Sequence, residues 1–171
     1  VIFPVIVGAN QWMNPALTER FGIDLNTADL LTTVWGLGCV AGAFIGGFVK
    51  DRLGNKTALW ASVIAVIPAM LLLAFVGAKP LIWVVAIYFG ISYGMSQSIY
   101  FALAMKYTQP AIAASMFAIL MSVTNIGQGI GLGAGGALAS KAGFPITSVI
   151  FGALMLLVIP FFPVLSKKKA D

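Results

Sequence analysis

The sequence has few charged residues, one cysteine and no histidine. Only 9% of its 171 residues are Asp, Glu, Lys or Arg, whereas an ordinary soluble domain carries about 25%. That is too little charge to cover a water-facing surface. The single cysteine, Cys39, excludes an internal disulfide and a cysteine-based metal site. Without histidine, zinc and haem lose a common ligand. No carboxylate pair or nucleophile with a base stands out, so we expect no catalytic residues, metal or cofactor, and no enzyme.

Hydrophobic residues are abundant in this sequence. They make up 60% of the chain, and the mean hydropathy is +1.01. Apolar stretches such as 57–76 and 148–165 approach the roughly 20 residues that a helix needs to cross a bilayer. The sequence therefore predicts an all-α polytopic membrane protein with lipid as its solvent. The net charge of +5 comes from short loops and the tail, which favours membrane topology and not a nucleic acid partner.

Gly and Pro breakers divide the chain into six apolar segments. We place them at 1–17, 28–50, 57–77, 80–105, 111–139 and 144–165. Breaks such as Gly54-Asn55, Gln109-Pro110 and Gly143-Phe144-Pro145 separate them. Residues 1–171 are thus expected to form one six-helix bundle. Because the chain starts apolar and without Met, we expect it to be the C-terminal portion of something longer.

The cations predict the orientation. If the basic tail, 166–171, is cytoplasmic, its side of the membrane holds seven Lys and Arg residues and the other side holds three, as the positive-inside rule requires. The connection 18–27 then faces outside. We expect an integral protein of a prokaryotic inner membrane.

The polar residues follow a pattern that repeats. Segments one and four carry amides and phenols, two and five are rich in glycine, and three and six are almost purely apolar. Residues 1–77 and 80–165 are therefore expected to be two three-helix repeats, the second inverted because three is odd. Segments one and four should line a cavity, since amides in hydrocarbon need partners or water. The candidate cavity residues are Asn10, Gln11, Asn14, Tyr93, Gln97, Tyr100, Asn125 and Gln128.

Glycines four residues apart mark one stripe on each of segments two and five. The stripes are Gly38, Gly42, Gly46 and Gly127, Gly131, Gly135. Such spacing removes side chains from one helix face, so that another backbone can approach closely. Close packing is the simpler interpretation, and hinge-like flexing is the alternative.

Between segments two and three runs Gly47-Phe48-Val49-Lys50-Asp51-Arg52-Leu53-Gly54-Asn55-Lys56. This stretch resembles the signature Gly-x-x-x-Asp-Arg-x-Gly-x-Arg/Lys of the major facilitator superfamily, which follows the second helix of each six-helix half. The resemblance implies a secondary transporter with a second six-helix half, and a conformational latch formed by Gly47, Asp51, Arg52, Gly54 and Lys56. Asn55 and Lys56 depart from the more basic ending. The stretches 105–110 and 117–127 are more loosely similar to the muropeptide permease and acetyl-CoA transporter branch.

The predicted helix centres contain no Asp, Glu, Lys or Arg, where proton relays are usually found. Proton coupling would then belong to the second half, or transport would be facilitated diffusion. The neutral candidates favour a small organic solute such as a sugar, amide or nucleotide-like group. Trp12, Trp35 and Trp83 are expected to be interfacial anchors. The alternative function is a non-transporting membrane scaffold or accessory subunit with this fold.

Overall fold

The protein is all-helical across the described residues. The computed structural model describes residues 13–106 and 108–163. In this part of the chain the α-helices are α1 (Met13–Phe21), α2 (Leu25–Phe75), α3 (Ile82–Lys106) and α4 (Ala113–Leu154). Short 3-10 turns occupy Lys79–Leu81, Pro110–Ile112 and Met155–Phe161. Leu25–Phe75, Lys79–Lys106 and Pro110–Phe161 are long and apolar enough to cross a membrane, which confirms the all-α membrane class.

Asp24 starts α2 earlier than the sequence pattern predicts. Its side chain accepts hydrogen bonds from the Thr27 amide at 3.3 Å and the Thr27 hydroxyl at 2.6 Å, as an N-cap residue does. The hydroxyl bond, followed by the amide bond, lowers the pKa of the Asp24 carboxyl from its usual value. Because α1 also continues to Phe21, the connection expected over 18–27 shrinks to residues 22–24.

Two glycines interrupt the long helices. Gly54 breaks α2 with φ 83° and ψ 173°, and Gly143 breaks α4 with φ 80° and ψ 159°. Only glycine adopts this region of backbone space readily, because a Cβ would clash with the chain. The breaks divide α2 into limbs 25–53 and 55–75, and α4 into limbs 113–142 and 144–154. Both lie at breaks that the sequence predicts.

The two breaks belong to a regular internal spacing. Gly143 lies 89 residues after Gly54, and the stripe Gly127, Gly131, Gly135 lies 89 residues after Gly38, Gly42, Gly46. All six stripe glycines are buried, whereas Gly129, Gly133 and Gly136 have open space at the Cβ position. Positions 89 residues apart thus share burial at the stripes and a glycine-specific backbone conformation at the breaks.

The first glycine stripe packs directly on the backbone of α3. A Cβ built on Gly38 would lie 2.5 Å from the Ile87 carbonyl oxygen, and one on Gly42 would lie 2.1 Å from that of Ile91. The contact is reciprocal. A Cβ built on Gly90 of α3 would lie 2.1 Å from the Trp35 carbonyl oxygen, and one built on Gly94 would lie 2.0 Å from that of Cys39. The 25–53 limb and α3 therefore touch backbone to backbone, which brings Cα–H groups close to carbonyl oxygens.

The apolar core lies on another side of α3, against the 55–75 limb. Val63, Val66 and Met70 are buried there with Val85 and Phe89. The Ser92 hydroxyl lies 3.0 Å from the Ala65 carbonyl oxygen and joins the two helices. The 144–154 limb closes on the same core, with Gly152 packed on Met70. As a result α3 has a glycine contact on one side and an apolar contact on another.

Candidate membrane-centre polar site

Tyr93 is the centre of a hydrogen-bonded cluster that joins two helices. Its hydroxyl oxygen accepts from the Gln97 side-chain amide at 3.1 Å and from the Gln128 side-chain amide at 3.3 Å. Gln97 lies one turn along α3 from Tyr93, and Gln128 comes from the 113–142 limb of α4. The structure therefore brings together three of the residues that the sequence singles out as cavity candidates.

Trp35 adds a third helix to this cluster. Its indole ring lies against the Tyr93 ring, with centroids 5.4 Å apart and planes 47° apart. The expectation that Trp35 is an interfacial anchor stays a prediction. Because α2 starts at Leu25, Trp35 lies about 15 Å along the helix, and its ring packs on a neighbouring helix. The close approach of Gly90 to the Trp35 backbone holds the two helices together beside this ring pair.

The cluster contains buried polar atoms without a hydrogen-bond partner among the described residues. Among the described residues, the Trp35 Nε1 donor and the Gln97 Oε1 acceptor are buried and have no hydrogen-bond partner. The Ser96 hydroxyl, next to Gln97 in the chain, is likewise buried without a hydrogen-bond partner among the described residues. An unpaired buried polar group costs about 1–3 kcal/mol, so such groups mark a place where water or a solute binds.

Asn14 forms a second polar contact, close to the first along α2. Its amide nitrogen donates to the Ala28 carbonyl at 3.3 Å and to the Thr32 hydroxyl, and so fastens α1 to α2. Thr32 lies about one helical turn from Trp35. The Asn14 Oδ1 atom is buried without a partner among the described residues. Asn14 therefore combines a structural bond with one free acceptor.

The other cavity candidates are Tyr100, Asn125, Asn10 and Gln11. Tyr100 packs edge-on against Phe101, with ring centroids 5.2 Å apart. Asn125 is exposed, and nothing in the structure ties it to Tyr93. Asn10 and Gln11, like Trp12, fall outside the described residues, so their predicted role stays a prediction.

The signature stretch forms the end of the 25–53 limb and the break that follows. Asp51 pairs with Lys50 at 3.1 Å and is 70% exposed. The Arg52 guanidinium lies over the Phe48 ring at 5.7 Å. Gly47 approaches nothing closer than the Ser98 hydroxyl, at 3.9 Å from a built Cβ. Among the described residues, Gly54 is the one motif residue whose backbone conformation requires its residue type.

Sequence reasoning does not find three features of this region, namely the ring contact of Trp35 with Tyr93 and the close backbone approaches at Gly90 and Gly94. The two glycines carry a signal. Their four-residue spacing matches that of Gly38 and Gly42, and this spacing is the signal that could have identified them.

Comparison with known proteins agrees with the geometry. The model of the Major Facilitator Superfamily matches residues 4–171. The chain is also 34% identical over 59 residues to the fosmidomycin resistance protein of Escherichia coli (strain K12). That match covers 34% of this chain and 14% of the relative, so this chain spans only a small part of the relative's length.

Proposed function

Because the chain belongs to the major facilitator superfamily, a family of transporters and not of enzymes, we propose that this integral membrane protein is half of a secondary transporter. It moves a small organic solute by alternating access, with a second six-helix half in the same chain or in a partner. The observation that carries the proposal is the polar cluster of Trp35, Tyr93, Gln97 and Gln128. These side chains lie near the middle of long apolar helices, where polar groups are costly and usually functional.

The proposed architecture is six membrane-spanning helices in an inverted three-plus-three repeat. Helix α2 has 51 residues, or about 75 Å, which is more than twice the hydrocarbon thickness. The break at Gly54 and its counterpart at Gly143 offer the places where the chain turns back. The 89-residue spacing supports two copies of one unit, with matching glycine stripes.

The proposed solute is uncharged where it contacts this half. Trp35 offers an N–H donor and Gln97 offers a carbonyl acceptor, and the Tyr93 ring gives an aromatic surface next to both. No Asp, Glu, Lys or Arg lies in the middle of a described helix limb to hold an ion. A sugar, amide or nucleotide-like group fits these neutral partners.

The latch belongs to the same proposal. Asp51 is exposed and its only described partner is the neighbouring Lys50, so its carboxylate remains accessible to a second half. In the proposed cycle the motif residues Gly47, Asp51, Arg52, Gly54 and Lys56 brace the two halves in one conformation.

Flux into liposomes by the full-length protein tests transport. Suitable probes are radiolabelled N-acetylglucosamine and uridine, with fosmidomycin included because a relative is named for resistance to it. Trp35→Phe keeps a ring on Tyr93 but removes the N–H group, and we expect it to reduce flux. Trp60→Phe is the matched control, since Trp60 packs on Phe162 at 5.3 Å, away from the cluster. Saturable flux that both variants retain equally would remove Trp35 from the site. A folded protein without flux of any probe would favour the scaffold alternative.

Cysteine labelling tests the topology. In a Cys39→Ser background, we expect Asn55→Cys to react from the cytoplasmic side and Lys79→Cys from the opposite side. Labelling of both from one side contradicts the six-helix arrangement.

A further inference from the structure

An apolar groove lies at one end of the bundle, between the 55–75 limb and α3. Its volume is about 400 Å³, and its walls include Pro68, Phe75, Gly77, Leu81, Val84 and Val85. None of these residues has a polar side chain. The walls are open, with Phe75 70% and Val84 57% exposed. The groove reaches from the turn at 76–81 to Pro68, about 10 Å deeper along the helix.

The groove lies on the back of α3 relative to the polar cluster. Val84 precedes Tyr93 by nine residues, which is about two and a half helical turns, so the two side chains project from opposite faces. A second half that shares a solute pathway with Tyr93 would therefore not reach Val84. On the proposed architecture, lipid is the medium at this face of the chain.

Cations lie at the mouth of the groove. Lys79 is exposed and stands in the turn between Gly77 and Leu81, which both line the groove. Arg20 is held at the same helix end, because its guanidinium donates to the Ala74 carbonyl at 2.7 Å. Glu19 precedes Arg20 in the chain and offsets part of its charge, so Lys79 is the cation on which the test rests.

We propose that this groove is a binding site for an acyl chain of an anionic phospholipid, whose headgroup pairs with Lys79. The apolar walls at the edge of the hydrocarbon fit an acyl chain and offer nothing to a polar solute. A cation at headgroup level favours an anionic lipid over a zwitterionic one by about fivefold. The assignment of lipid to this face rests on the proposed position of the second half, but the test measures lipid binding and not flux, so the two proposals can fail separately.

Native mass spectrometry of the purified full-length protein tests the site. The protein is released from mixed micelles that contain equal amounts of palmitoyl-oleoyl phosphatidylglycerol and the matching phosphatidylcholine. We expect one retained phosphatidylglycerol, favoured about fivefold. Lys79→Gln should abolish the preference, and Val84→Trp should displace the lipid by filling the groove. The controls are Lys141→Gln, a lysine near the break at Gly143, and Ile64→Trp. Ile64 is 65% exposed and lies on the 55–75 limb but does not line the groove.

Each other outcome overturns the proposal. Equal retention of the two lipids removes the role of Lys79, as does an equal effect of Lys141→Gln. Unchanged lipid retention in Val84→Trp shows that the lipid binds elsewhere. If Val84→Trp lowers the thermal unfolding midpoint more than Ile64→Trp but leaves lipid retention unchanged, protein and not lipid covers the groove. Should Val84→Trp fail to fold, Lys79→Gln still decides, because Lys79 lies on an exposed turn.

Discussion

Gly54 and Gly143 share one backbone conformation, with φ near +80° and an extended ψ, although 89 residues separate them. Each follows a limb with a buried glycine stripe. Both positions demand glycine for the same reason, since this region of backbone space is closed to residues that have a Cβ.

Substituting either glycine should therefore destabilise the protein. We expect Gly54→Ala and Gly143→Ala each to cost about 1–3 kcal/mol, measured as a fall in the thermal unfolding midpoint in detergent. Gly54→Asn should not rescue, because asparagine tolerates the left-handed helical region but not this one. Gly129→Ala is the control, since its added Cβ meets open space. Equal midpoints in all four variants would show that the breaks do not depend on glycine.

The backbone contact between the 25–53 limb and α3 leads to a second prediction. A Cβ at Gly94 would lie 2.0 Å from the Cys39 carbonyl oxygen, so Gly94→Ala must push the helices apart. Overpacking of this kind costs about 1–3 kcal/mol. Gly133→Ala, with no atom within 4 Å of its Cβ, should be neutral or slightly stabilising. Thermal unfolding of the two variants checks this, and a stable Gly94→Ala protein would contradict the close contact.

Substitution of Gln97 distinguishes a residue that contacts the solute from one that only packs the helices. Its bond to Tyr93 lies within α3, and hydrogen bonds in membrane helices contribute about 0.6 kcal/mol on average. Gln97→Leu should thus leave the unfolding midpoint nearly unchanged while lowering flux or apparent affinity. Gln128→Leu, which breaks a bond between two helices, is the comparison. A large loss of stability with normal flux in Gln97→Leu would make Gln97 a packing residue.

A substitution of Asp51 tests the proposed conformational latch. The carboxylate is exposed and pairs with Lys50, and exposed pairs contribute about 0–1 kcal/mol. Asp51→Asn should therefore insert and unfold like the wild type but transport more slowly. Flux in liposomes and the thermal midpoint are measured on the same preparation. Wild-type flux would exclude a bracing role for Asp51.

Sequence patterns predicted the helical class and the breaks, but not which side chains meet. The breaks follow from local chemistry at Gly54 and Gly143, which a sequence displays directly. The position of Trp35 along α2 depends on where the helix begins, and the Asp24 cap places that start three residues before the predicted 28. The Tyr93 bond to Gln128 joins residues 35 apart in the chain. Hydropathy carries no information on such pairs, because both residues lie in similar apolar surroundings.

The glycine contact between the 25–53 limb and α3 also leaves the relative position of the two helices ambiguous. Gly38, Gly42 and Gly46 face the carbonyls of Ile87, Ile91 and Met95 in steps of four, so a slide by one turn, about 5.4 Å, would match most glycines again. The ring pair of Trp35 and Tyr93 occurs once in this interface, and a slide by one turn would replace Tyr93 opposite Trp35 by Phe89 or Gln97, without the Tyr93 hydroxyl. The aromatic pair therefore selects one relative position of the two helices from several in which the glycines pack almost equally well. Its loss would allow the helices to shift by one turn.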